Sequence, residues 1–257
     1  MKYNYHTHTA RCGHAAGEDR EYVLTAIEAG VEEMGFSDHA PFRFPDGRES
    51  GYRVPMARAE EYIESVRALR AEFKDKIKLH VGFEMEYYPT YFQQMLSLVK
   101  GLGAEYLILG QHFIDEEKVG NVSTAPHDSE AELKTYVDTV VEGMESGAFL
   151  YVAHPDVFRF IGKDEIYEAE AHRLCRASVR TGVPLEINFL GIRQKRAYPR
   201  EDFWKIAGEE GVDVVFGYDA HEPIHASGVD SEATARALVK KYGLRFIEDF
   251  KIKKKIF

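Results

Sequence analysis

Tyr3-Asn4-Tyr5-His6-Thr7-His8 alternates as a β-strand does and ends in metal-type side chains. Along an extended strand, residues two apart share a face. His6 and His8 can therefore reach one ion from a single strand end. The ending recurs along the chain. Gly35-Phe36-Ser37 runs into Asp38-His39, and 79–83 runs into Glu84. Leu107-Ile108-Leu109-Gly110 leads to His112, and Phe149-Leu150-Tyr151-Val152-Ala153 leads to His154. Val214-Val215-Phe216-Gly217 leads to Asp219 and His221.

Working outward, short apolar runs alternate with longer stretches of helical period. Strands are predicted over 2–6, 33–37, 78–83, 106–110, 149–153, 184–187 and 213–217, with a last extended piece at 245–247. Helices are predicted over 20–32, 55–73, 90–100, 129–146, 164–181, 200–210 and 231–241. Tyr62, Val66, Leu69 and Phe73 form one apolar stripe. Ser129 and Ser231 read as N-caps, and Gly182 and Gly211 as C-cap glycines. Such alternation implies a parallel sheet. Seven units suggest closure into a TIM-like (β/α)7 barrel in one domain over 1–257, although periodicity alone does not separate this from an open doubly wound sheet.

The metal-type residues then gather at the C-terminal mouth, where barrel enzymes build active sites from strand ends. Of 11 histidines, seven (His6, His8, His14, His39, His112, His154 and His221) take such positions. Seven merely structural histidines would not explain their gathering beside carboxylates. His80 and His172, inside a strand and a helix, read as packing or surface residues, and His127 as a helix-start residue. His225 is close enough to His221 to reach the mouth.

Composition narrows the partners. The net charge of −10 argues against a nucleic-acid surface. No segment is apolar for long enough to span a membrane, and no secretory leader pattern is evident, so a cytoplasmic location is expected. Cys12 and Cys175 make no disulfide framework, and Cys12 reads as a small buried residue before it reads as a sulfur ligand. The basic run from Lys251 to Lys255 reads as a solvated end. The sequence leaves the oligomeric state open.

Several pieces together resemble the PHP (polymerase and histidinol phosphatase) superfamily, in its monofunctional histidinol-phosphatase branch. They are His6-Thr7-His8-Thr9, Arg11-Cys12-Gly13-His14, Gly35-Phe36-Ser37-Asp38-His39-Ala40-Pro41, Gly82-Phe83-Glu84, Gly110-Gln111-His112-Phe113, Ala153-His154-Pro155-Asp156, Glu186-Ile187-Asn188 and Gly217-Tyr218-Asp219-Ala220-His221. The resemblance implies a distorted seven-stranded (β/α) barrel holding three divalent ions. It implies His6, His8, Glu84 and Asp219 on the first ion. Glu84 would bridge to a second, held also by His112 and His154, and His14, His39 and His221 would hold a third. The implied reaction is hydrolysis of L-histidinol phosphate in histidine biosynthesis.

The chemistry is coherent on its own terms. Paired ions can lower the pKa of a shared water and hold it as a bridging hydroxide for attack on phosphorus, while neutralising the phosphoryl oxygens. Imidazole and carboxylate ligands suit zinc, manganese or iron(II). A small phosphorylated substrate needs fixed cations as well. Arg159 and Arg193 are expected there, ahead of Arg196, Arg43 and Arg48. Asn188 is expected to orient a ligand or a water, or to make a plain strand-end hydrogen bond. Asp38, His39 and Asp219 stand beside the metals as candidate acids, and Asp38 or a metal-bound water is preferred. Glu117, Glu116 and Glu86 are candidates for a substrate ammonium, and Tyr87, Tyr88 or Phe113 for its imidazole. Two other readings stay open. One is a PHP-type esterase for another small phosphomonoester, a phosphodiester or a nucleotide. The other is a non-catalytic metal-binding module.

Overall fold

In the computed structural model, which describes residues 1–117 and 121–252, the first strand is cut short by its own side chain. Strand β1 spans Tyr3–Asn4, not 2–6. The Asn4 amide oxygen accepts the His6 and Tyr218 N–H groups at 3.2 and 3.0 Å. Such local bonds compete with ladder pairing. The chain leaves the strand there, and His6 and His8 emerge beyond its end.

The other strands are β2 (Glu33–His39), β3 (Lys78–Met85), β4 (Tyr106–Leu109), β5 (Leu185–Asn188), β6 (Asp213–Gly217) and β7 (Arg245–Phe246). They pair in parallel, in the orders β1-β2-β3-β4 and β5-β6-β7. The strand expected over 149–153 is a seam and not a named strand. Val152 alone bridges it, to Leu109 on one side and Leu185 on the other. A further parallel bridge joins Thr7 to Ala220. The result is a mixed α/β fold with a curled parallel sheet.

Helices α1 (Asp19–Glu28), α2 (Ala59–Glu72), α3 (Phe92–Leu102), α4 (Glu130–Glu145), α5 (Asp164–Thr181), α7 (Glu201–Glu210) and α8 (Glu232–Tyr242) fall close to the predicted spans. The α2 stripe is buried as its period demands, and the Tyr62 hydroxyl donates to Gly82 O at 2.9 Å. Ser129 caps α4 by accepting from Glu132 N. Ser231 stands at the N-cap of α8, but its hydroxyl makes no capping bond and donates to Phe189 O and Asp230 instead. Gly182 and Gly211 end α5 and α7 in the left-handed region. Sequence periodicity missed α6 (Phe189–Arg193), which is too short to show a period.

A large apolar core lies between sheet and helices, and a small one (Tyr3, Tyr5, Tyr106, Ile108, Tyr151, Ala153 and Val215) fills the inside of the curl. Among the described residues, no helix is long and apolar enough to cross a membrane. Lys251 sits over the Tyr3 ring, while Lys253, Lys254 and Lys255 lie outside the described residues.

Candidate metal centre

Parallel register levels the strand ends. His39 pairs with Glu84 across β2 and β3, and Asn188 pairs with Gly217 across β5 and β6. The Thr7–Ala220 bridge sets His6 and His8 beside Asp219 and His221. Two of these residues have unusual backbones: His154 has φ 31° and Asp219 has φ 46°. Left-handed conformations are costly for such side chains and persist where packing enforces them, often at functional sites. Two glycines make room for carboxylates. A Cβ at Gly110 would lie 1.8 Å from Glu84 Oε1, and one at Gly217 would lie 1.9 Å from Glu186 Oε2.

The ligand-type atoms converge. His8 Nε2 lies 3.2 Å from Asp219 Oδ1 and 3.4 Å from Glu84 Oε2. His6 Nε2 lies 3.6 and 3.4 Å from the same two oxygens. All four atoms are buried and make no hydrogen bond. Ligands about 2.1 Å from a tetrahedral ion stand roughly 3.4 Å apart, so this spacing fits an ion. The other Glu84 oxygen, Oε1, lies 2.9 Å from His154 Nε2 and 3.4 Å from His112 Nε2. Ligand atoms of His14, His39 and His221 form a further trio within 4.8 Å of one another. His39 also reaches Glu84, with Nδ1 at 3.3 Å from Oε2, so it stands between two of these groups. Cys12 comes within the same reach of His8 and His221, but its thiol donates to Thr9 O at 3.1 Å.

Carboxylates behind the imidazoles fix their orientation. Glu186 Oε2 holds His6 Nδ1 at 2.8 Å, and Glu86 Oε1 holds His112 Nδ1 at 2.8 Å. Asp38 faces His8 Nδ1 at 3.4 Å. Metal-binding histidines depend on such partners. Burial opposes charge on His6, but Glu186, Asp219 and Glu84 outweigh it and raise its pKa to about 10. His8 is raised in the same way, with Asp219 and Asp38 overcoming burial. Burial and the His8 charge hold His39 and His221 below the ordinary value. His14 is lowered by burial and by His221. Burial would raise Glu84 and Asp219, yet the surrounding imidazoles keep both well below the usual carboxylate range.

The cluster forms the floor of a cavity of about 680 Å³, whose walls include Tyr52, Phe113, Tyr198, Arg196, Glu222 and His225. Several substrate-side expectations are corrected here. Asp38 is fully buried and accepts from Thr9 N, the Thr9 hydroxyl and His39 N. It braces His8 behind the cavity and is not placed to protonate a leaving group. Arg159 is exposed and off the wall, because its backbone pairs with Ser123 and His127; Arg196 lines the cavity instead. Asn188 donates to Glu186 and to Asp219, at 2.7 and 3.0 Å, and its oxygen caps α6. It therefore orients a carboxylate and does not face substrate. Glu117 and Glu86 both bind the buried Arg53 guanidinium, so neither is free for an ammonium. Of the proposed aromatics, Phe113 lines the cavity and Tyr87 and Tyr88 do not.

Arg193, like Arg159, is not among the cavity-lining residues; it donates to Tyr218 O at 2.8 Å and Asp219 O at 2.5 Å, and its Nε and Nη1 are buried without a partner. His225 lines the cavity, with Nδ1 unpartnered. His80, His172 and His127 are engaged by Glu33, Glu210 and Glu132 away from the cavity. Sequence reasoning missed Glu186 as a functional residue. The available signal was an acid at a buried position inside an apolar strand, two residues before Asn188.

Fold and site together define a parallel α/β protein built around a histidine–carboxylate centre of metal-ligand type. The chain belongs to the PHP domain family, whose model matches residues 4–189. It is 28% identical to a probable histidinol-phosphatase of Deinococcus radiodurans, over 85% of each chain. It is 24% identical to the histidinol-phosphatase of Bacillus subtilis, over 86% of this chain and 94% of that one. A crystal structure of histidinol phosphate phosphatase from Lactococcus lactis, complexed with zinc, L-histidinol and phosphate, has the same fold. Its TM-score is 0.72, with 22% identity over 99% of this chain and 97% of that one.

Proposed function

We infer that this chain is a histidinol-phosphatase, a phosphoric monoester hydrolase that converts L-histidinol phosphate to L-histidinol and phosphate in histidine biosynthesis. One observation carries the reading: the unpartnered, buried atoms of His6, His8, Glu84 and Asp219 meet at 3.2–3.6 Å on a cavity floor. The named relatives support the substrate.

The residues fit three divalent ions. His6, His8, Glu84 and Asp219 would hold one, Glu84, His112 and His154 would hold a second, and His14, His39 and His221 would hold a third. Zinc, manganese and iron(II) all suit this donor set. Such ions supply Lewis acidity that activates a water and offsets phosphoryl charge. The protein supplies the rest. Glu186, Asp38 and Glu86 hold Nδ1 of His6, His8 and His112, so each Nε2 faces the site. Arg196 is the cation on the cavity wall and receives a phosphate oxygen, and Arg193, held on Tyr218 O and Asp219 O, adds positive charge beside Asp219. His225 faces the leaving group. The seam at 149–153 and the Thr7–Ala220 bridge complete a distorted seven-stave barrel, with β7 outside it. The enzyme is cytoplasmic and acts on a small substrate.

The test is phosphate release from L-histidinol phosphate beside sugar and nucleotide phosphates, with metal content measured on the same sample. A strong preference for L-histidinol phosphate is expected. Activity on other esters alone would remove the substrate assignment, and inactivity of metal-loaded protein would remove the enzyme. The roomy cavity favours, as a second reading, a bulkier phosphomonoester, which the same panel detects.

A further inference from the structure

Among the described residues, three acids line the cavity: Glu84, Asp219 and Glu222. The first two belong to the metal-type cluster. The Glu222 carboxylate makes no hydrogen bond or ion pair with any described residue. Its backbone is nevertheless firmly held. Glu222 O accepts from His225 N at 3.0 Å, and the preceding His221 O accepts from Ala16 N at 2.8 Å. Pro223 opens the short 3-10 turn Pro223–Ser227. It packs so closely on Gly17 that a Cβ there would lie 2.5 Å from the proline ring. Glu222 is thus an exposed residue on the cavity wall, held in place by a fixed turn directly after a ligand-type histidine.

The inference rests on the reading of the site as a histidinol-phosphatase. L-Histidinol phosphate carries an ammonium on the carbon next to its ester CH2. The receiving group must therefore stand close to the phosphate end of the cavity. Glu86 and Glu117 are spent on Arg53. Glu116 does not line the cavity, so among the described residues Glu222 is the wall acid outside the cluster, one residue from it.

We propose that Glu222 is a specificity-determining residue whose carboxylate receives the ammonium of an amine-bearing phosphomonoester. A site built to pair a substrate N–H group discriminates against analogues lacking it, because the site group then goes unpaired.

The experiment compares kcat/KM for L-histidinol phosphate with kcat/KM for 3-(imidazol-4-yl)propyl phosphate, which lacks only the amine and the charge. The wild type is expected to favour the amine. In Glu222→Gln the ratio should fall by about tenfold or more, mostly through KM, and Glu222→Asp should keep part of it. Inhibition by L-histidinol should weaken in parallel, a readout independent of turnover. An unchanged ratio in Glu222→Gln, with the wild type still favouring L-histidinol phosphate, overturns the assignment of Glu222 alone. A wild type that hydrolyses only the amine-free ester overturns both the substrate reading and this one.

Discussion

Glu186 illustrates how much one buried carboxylate decides. It holds His6 Nδ1, the His154 N–H and the Asn188 amide at once, and Gly217 leaves room for it. Glu186→Gln should weaken metal binding about 10–100-fold, with the fold retained. Metal titration checks this, and an unchanged affinity would sink the role. His112→Ala should lower kcat about a hundredfold or more while the Tm of the metal-free protein barely moves, since the ring sits at a strand end over the cavity and not in the core. A fully metallated, active variant would contradict it. Gly110→Ala drives a methyl into Glu84 and should cost both metal content and activity; retention of either would show that the carboxylate can move aside. At this scale the ligand-type histidines were legible because their spacing follows strand ends. Their partners were not, because an orienting carboxylate depends on which strand lies next door.

At the scale of elements, a polar cluster at the N-terminal end of the sheet ties β1, β2 and β3 together. Glu33 on β2 accepts from the Tyr5 hydroxyl at 2.7 Å and lies 2.8 Å from His80 on β3. Burial would raise the Glu33 pKa, but His80, Tyr5 and Lys78 lower it to about 2. Its depressed pKa contributes stability above the ordinary carboxylate value, which is lost as pH falls toward 2. Burial would lower His80, but Glu105 and Glu33 raise it. Its contribution is complete below the ordinary imidazole value and is lost as pH climbs past the raised one. Glu33→Gln should therefore cost about 1–3 kcal/mol near pH 5–6 and little near pH 2. Denaturant titrations across pH check this, and a cost independent of pH would refute it. The long helices were legible from their periods. The seam at Val152 and the five-residue α6 were not, because their form depends on neighbouring strands and on the Asn188 cap.

For the whole molecule, the cluster joins residues from nearly every strand end, so occupancy and stability are linked. Chelation is expected to abolish phosphate release and to lower Tm. Ions at a hundredfold over Kd add about 2.7 kcal/mol, and each kcal/mol is worth roughly 2–4 °C in a chain of this size. Calorimetry with and without chelator decides it; equal Tm values would mean the cluster does not hold ions in solution. The sequence by itself determined the parallel α/β class, the metal-type residues and the end of the sheet they occupy. Those follow from local periodicity and from side-chain chemistry, which need no knowledge of neighbours. Only the tertiary structure decided that Asp38 braces His8, that Asn188 serves Asp219, that Arg53 occupies Glu86 and Glu117, and that Arg196 and Glu222 face the cavity while Arg159 does not. A side chain's role in a site is set by what lies across from it, and that depends on how distant segments pack, which no local pattern encodes.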